Sequence, residues 1–193
     1  MRILGIDPGM TVGVAVLDTD ARTCTYSTQT TDDDLLDAIK FEGGSRGWVG
    51  AIVAELWINY GRPPGQGSRL AIGQAYWLQR EHGAHMLSRP DVIRILGMGG
   101  SVGKAAVWGE VVRMLGSDQR GKLCPRRGRK GHTVTGREGL ASWSGSDPNC
   151  PACNGTGYER EPGPLAHVKG HARDALALAV AWAIRSGELI DKP

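Results

Sequence analysis

The hydrophobic and polar positions fall first into short extended runs and then into helical periods. Arg2 to Asp7 is a brief apolar run, Pro8-Gly9 marks a turn, and Val12 to Leu17 is a second β-rich run with small residues interleaved, so the chain opens on a hairpin. Thr23 to Thr30, rich in Thr with a Tyr, predicts a third strand. Thr31-Asp32-Asp33-Asp34 then supplies an N-cap and first-turn acids for a helix carrying Leu35, Leu36, Ile39 and Phe41. After a glycine-rich break, Trp48 to Ala54 is continuously apolar, the mark of a central strand buried on both faces, and it ends at Glu55. Ser68 is placed to cap a helix to about Glu81, with Leu70, Ile72, Ala75, Tyr76 and Leu78 as its apolar positions. His85 to Ser88 and Val92 to Leu96 read as extended, and Ser101 to Leu115 as an amphipathic helix built on Val102, Ala105, Val107, Val111, Val112 and Leu115. Periodicity stops between Gly116 and Gly170 and resumes in His171 to Ile184, a helix apolar nearly all round and hence buried.

Strands alternating with helices predict an α/β domain, a mixed sheet flanked by helices and interrupted once late in the chain. Residues 1–115 form the first part of the core, 116–170 an insertion with little core of its own, and 171–193 the helix that completes the core. A length of 193 residues suits one domain with such an appendage. Hydrophobic residues at 40% suffice for a core and argue against wholesale disorder. The longest apolar run, Ala175 to Ile184, is far short of the ~20 residues of a membrane span. Asp7 interrupts the N-terminal apolar run too early for a signal peptide, so a cytoplasmic protein without membrane partners is expected.

The net charge of +3 is unevenly placed. From Gly116 to Gly170 there are nine Lys/Arg against five Asp/Glu, while the remaining chain carries 14 against 15. The basic residues are densest from Arg120 to Arg137, the footprint of a polyanion contact or, more plainly, of a solvated loop.

Two acids stand where apolar strands end, Asp7 before Pro8-Gly9 and Glu55 after the Trp48–Ala54 run. A carboxylate in such a place is costly unless a cation compensates it. His171 and Asp174, at i and i+3, share one face of the last helix. Together Asp7, Glu55, His171 and Asp174 make a mostly oxygen-ligand set suited to Mg²⁺ or Mn²⁺. Each also has a plainer role: Asp7 as a turn former, Glu55 as a partner of Arg62 or Arg69, His171 as a helix cap, and Asp174 as an acid neutralised by Arg173 or Lys169.

The chain resembles the RuvC-type Holliday junction resolvases, nucleases of the RNase H-like (retroviral integrase) superfamily. The resemblance rests on Ile3-Leu4-Gly5-Ile6-Asp7-Pro8-Gly9, Ala54-Glu55, Leu70-Ala71-Ile72-Gly73-Gln74-Ala75, Ile95-Leu96-Gly97-Met98-Gly99 before Lys104, and His171-Ala172-Arg173-Asp174-Ala175-Leu176-Ala177. It implies an RNase H-like mixed sheet and a two-metal phosphodiesterase in which Asp7, Glu55 and Asp174 hold two Mg²⁺ or Mn²⁺ ions, with His171 where the family often places Asp. It further implies that Lys104 and Arg94 hold phosphates, that Trp57 or Tyr60 stacks on unpaired bases, and that a homodimer makes paired cuts in a four-way junction. Flaps, forks and other branched DNA are further candidate substrates.

Within the insertion, Cys150-Pro151-Ala152-Cys153-Asn154-Gly155-Thr156-Gly157 is similar to one half of a DnaJ-type zinc ribbon. Cys124 and His132 are the nearest residues to complete a Cys₃His site for one structural Zn²⁺. Such a staple would present Arg126, Arg127, Arg129 and Lys130 to DNA; without it the segment is a flexible arm with incidental cysteines. Cys24, on a predicted strand, reads as a small buried residue. Two other functions remain open: an RNase H-like module that binds nucleic acid without cutting it, and an actin-like or sugar-kinase ATP-binding domain. The Gly5-Ile6-Asp7-Pro8-Gly9 turn also resembles the latter, but such a fold needs roughly twice this length.

Overall fold

The computed structural model describes residues 1–31, 35, 50–57, 64–100, 102–119 and 162–189. The chain separates into two compact units, Met1–Gly116 with His167–Pro193, and Ser117–Ala166. In the second unit the described ends pair through their backbones, Gly163 N–H to Gln119 O at 2.9 Å and Leu165 N–H to Ser117 O at 3.0 Å.

The first unit is built on a five-stranded mixed sheet in the order β3-β2-β1-β4-β5. The strands are β1 (Arg2–Asp7), β2 (Val12–Asp18), β3 (Thr23–Thr30), β4 (Ala51–Glu55) and β5 (His85–Leu87). β1, β2 and β3 form an antiparallel meander, whereas β4 runs parallel to β1 and β5 parallel to β4. The described helices are α1 (Gln66–His82), α2 (Arg89–Ile95), α3 (Lys104–Leu115) and α4 (His171–Arg185). Leu35 is helical and fully buried; the rest of the helix expected around it lies outside the described residues.

Period-2 alternation divides the sheet into two faces. Leu4, Ile6, Val14, Val16 and Ala54 point to one side and form a core with Leu35, Leu78 and Ala84. Ile3, Gly5, Val53 and Ala15 point to the other, where α4 lies with nine buried residues, most of them alanine. Gly5 is what lets α4 approach: a Cβ there would overlap the backbone carbonyl of Ala175. Among the described residues no helix is long and apolar enough to cross a membrane.

Two local readings are corrected by the structure. Val92 to Leu96 is not extended, since Arg89–Ile95 is helical. The β-branched residues there are outweighed by a capping box, in which Asp91 N–H donates to Ser88 Oγ at 3.3 Å and Ser88 N–H to Asp91 Oδ2 at 3.2 Å, with Pro90 in the first turn. Ser68 is not the cap of α1; Gly65 is, and the helix starts at Gln66. The buried face of α1 is Ala71, Gln74, Ala75 and Leu78, which leaves Ile72 and Tyr76 exposed.

Candidate functional site

Strand parity brings the acids together. Asp7 follows Ile3 and Gly5 on the face covered by α4. The parallel register pairs Gly5 with Val53 and Ile6 with Ala54, so one step on, Asp7 stands beside Glu55 on the same face. Parallel neighbours end at the same sheet edge, which is why two strand-terminal acids meet. α4 arrives over this edge with its first turn, and Gly13, the cross-strand partner of Asp7, has no side chain because a Cβ would overlap the backbone carbonyl of His171. His171 and Asp174 therefore project toward Asp7. Nδ1 of His171 is 2.8 Å from Oδ2 of Asp7, and ligand atoms of Asp7, His171 and Asp174 all lie within 4.8 Å of one another. Glu55 stands just outside this trio and joins it through a side-chain hydrogen bond to Asp7.

The turn beyond Asp7 is fixed from the other side of the sheet. Gln74, 4% exposed on α1, accepts from Gly9 N–H at 2.8 Å and donates to Gly9 O at 3.3 Å. One buried amide thus satisfies both backbone groups of the residue two places past the acid.

The electrostatics are those of an acid cluster withdrawn from water. Burial pushes the Asp7 carboxyl up to about 6, repulsion from Asp174 adds to this, and the Glu55 hydrogen bond with the charges of Lys104 and Arg89 opposes it. Burial pushes Glu55 up to about 8, reinforced by its hydrogen bond to Asp7 and by the charges of Asp7 and Asp174. Both carboxyls of this pair therefore hold their protons to higher pH than ordinary carboxylates do. Asp174 is bound by the Lys104 ammonium, an ion pair between the first turns of α4 and α3.

Several expected partners are placed differently. Asp174 is not paired with Arg173, whose guanidinium lies over the Trp108 ring at 4.7 Å and whose Nε donates to Val168 O at 3.3 Å. Arg69 does not pair with Glu55; its Nε donates to Pro64 O at 3.1 Å. Arg94 is exposed and ion-paired with Asp91 at 2.8 Å. The arginine at the acids is Arg89, which lines a small cavity with Glu55, Asp174, Val92 and Val107 and which the sequence did not single out. Gln74 did leave a signal: a polar residue four places from both Leu70 and Leu78, inside an apolar helical row. Trp57 is half-buried just beyond Glu55, and Cys24 is buried as expected. Tyr60, the zinc candidates Cys124, His132, Cys150 and Cys153, and the basic residues Arg126, Arg127, Arg129 and Lys130 lie outside the described residues.

The donor set fits hard divalent cations. Carboxylate oxygens predominate, and one imidazole nitrogen joins them.

The fold is that of RuvC, an RNase H-like mixed sheet with flanking helices. The chain is similar to a Thermus thermophilus RuvC structure, with 16% identity, a TM-score of 0.54 and coverage of 97% of this chain and 98% of that one. It is likewise similar to T. thermophilus RuvC in complex with a Holliday junction substrate, at 15% identity and a TM-score of 0.53, covering 97% of this chain and 95% of that one. No protein-family model matches the sequence, and no curated protein matches it.

Proposed function

We propose that this chain is a divalent-metal-dependent endonuclease that cuts four-way DNA junctions, and other branched DNA, by phosphodiester hydrolysis at the Asp7–Glu55–His171–Asp174 cluster. The observation that carries the reading is the convergence of Asp7, His171 and Asp174 ligand atoms within 4.8 Å, beside the half-buried Glu55, at one edge of a RuvC-like sheet. These four residues would hold two Mg²⁺ or Mn²⁺ ions, which when bound lower the pKa of an attacking water and stabilise the leaving 3′ oxygen.

The chain's own residues set up the rest. Asp7 and Glu55, whose carboxyls are both held above the usual range, would have to be deprotonated to act as ligands, so cutting is expected to rise with pH through the neutral range. The Pro8-Gly9 turn, clamped by Gln74, and the close approach of α4 over Gly5 and Gly13 hold the ligands from separate elements at fixed spacing. Lys104 and Arg89, beside the acids, would neutralise a phosphate drawn into them. Trp57 and Tyr60, just past Glu55, are assigned to unpaired bases, and Arg94 to a flanking phosphate. Two copies related by a twofold axis would place two such sites on one junction. The similar RuvC structure solved with a Holliday junction substrate supports this choice of DNA. The 116–170 insertion would add a further DNA contact through Arg126, Arg127, Arg129 and Lys130, with Cys124, His132, Cys150 and Cys153 holding one Zn²⁺.

The test is incubation with labelled four-way, forked, flapped and linear DNAs in Mg²⁺, Mn²⁺ or chelator. Metal-dependent incision of branched DNA is expected, abolished by Asp7→Asn, Glu55→Gln or Asp174→Asn with junction binding retained. Binding without cutting in either metal would leave a non-cleaving nucleic-acid module and overturn the nuclease reading.

A further inference from the structure

We infer that the groove between α2 and the start of α3 is a subsite for one unstacked nucleotide adjoining the scissile phosphate. This rests on the nuclease reading for its substrate. The groove has a volume of about 750 Å³ and is lined by Arg89, Pro90, Ile93, Arg94, Met98 and Val102. That is the size of a small-ligand pocket, ~300–1,000 Å³. Arg89 lines both this groove and the small cavity containing Glu55 and Asp174, so the groove opens where the acid cluster ends.

Its chemistry selects the occupant. The apolar lining of Pro90, Ile93, Met98 and Val102 suits the face of a base, and the charged side chains among the described lining residues are Arg89 and Arg94. Arg94 is paired with Asp91 at 2.8 Å, and Asp91 is itself part of the capping box of α2. Arg89 makes no ion pair among the described residues, and the acid cluster beside it leaves it facing carboxylates that metal ions would neutralise. A group with a flat apolar face and negative charge beside it answers to both features, and a nucleotide displaced from its stack at a branch point has both. Because the groove shares Arg89 with the acids, that nucleotide is one next to the cut rather than one several positions away.

The experiment moves a single abasic site through the three positions on each side of the cut in a four-way junction, with the wild-type protein, Val102→Trp and Met98→Glu. One position beside the cut is expected to lose about tenfold in cutting rate when its base is removed, in line with base–side-chain contacts of ~1–3 kcal/mol. Val102→Trp, which fills the groove, should cut intact and abasic junctions at one reduced rate. Met98→Glu, on the groove surface, should do the same by repelling the phosphate. A flat abasic scan, or full sensitivity retained by both variants, overturns the subsite. Equilibrium binding of the same junctions in Ca²⁺ separates the two claims. A protein that never cuts but loses about tenfold in affinity at one abasic position keeps the subsite and loses the nuclease reading. Equal affinity for every junction removes the subsite alone.

Discussion

Replacing Asp7 by Asn removes the most buried charge of the cluster while keeping its shape. Burial raises the Asp7 carboxyl from 3.8 to about 6. At ~1.36 kcal/mol per unit, that shift corresponds to roughly 3 kcal/mol of penalty for keeping the ionised form folded. The sign follows from proton binding. Because the folded chain holds this proton more tightly than the unfolded chain, stability is unpenalised below pH ~4, falls as pH rises toward ~6, and carries the whole penalty above that. Glu55, raised from 4.5 to about 8, extends the loss in the same direction to higher pH, and part of its rise is due to Asp7. In chelator, Asp7→Asn should therefore match the wild type near pH 4 and exceed it by about 2–3 kcal/mol at pH 8, read from urea unfolding at each pH. Saturating Mg²⁺ should reverse the order. The wild type gains ~4.1 kcal/mol at a metal concentration 1,000 times Kd, whereas the variant, short of a ligand, gains little and does not cut DNA. A variant whose advantage is the same at pH 4 and pH 8, or that Mg²⁺ stabilises as much as the wild type, would refute the claim that the acids are held against the stability of the fold for the sake of a cation.

Three further outcomes are expected. Gly13→Ala places a Cβ against the His171 carbonyl, so α4 must retreat by on the order of 1 Å; overpacking of about 1–3 kcal/mol and a loss of roughly 10²-fold in cutting rate should appear together, and unchanged cutting with a lowered Tm would break the link between this contact and the site. Gln74→Leu leaves Gly9 N–H and O without this partner at a half-buried turn; about 1 kcal/mol of stability and a roughly tenfold higher Mg²⁺ requirement for cutting are expected, and a Mg²⁺ titration identical to wild type would show that the clamp does not reach Asp7. Elemental analysis should find about one Zn per chain, lost in Cys150→Ser, and metal-free protein of unchanged stability would remove the zinc site.

How far the fold was legible depended on whether local and tertiary preferences agreed. β1, β2 and α4 were readable because their apolar runs coincide with full burial, and the boundaries of α4 fell within a residue of those expected. α2 was misread because Val92, Ile93 and Ile95 favour strands, whereas the decision was made at its first turn by Ser88, Pro90 and Asp91. The phase of α1 was misread for a related reason. Ile72 and Tyr76 are apolar yet exposed, while the buried row contains Gln74, a polar residue admitted to the interior because both of its amide groups are satisfied by one backbone turn. Size and hydropathy could not say which face turns inward when the inward face carries an amide bonded to a backbone turn.

The same contrast governs the site. Asp7 and Glu55 were conspicuous because an ionisable group ending an apolar strand contradicts its surroundings, and such a contradiction marks places where stability has been traded for chemistry. Arg89 contradicts nothing locally, since an arginine in the first turn of a short helix is unremarkable, and only the parallel placement of β5 beside β4 turns the following residues back over Glu55. Acids are thus visible where burial is unfavourable to them one by one, whereas the cations that answer them are visible only after the sheet order is known. It follows that the glycines shape the candidate site as much as its acids do. Gly5 and Gly13 carry no chemistry, yet they set the distance at which α4 delivers His171 and Asp174 to Asp7, and a cluster of hard ligands binds only at the distance its scaffold permits.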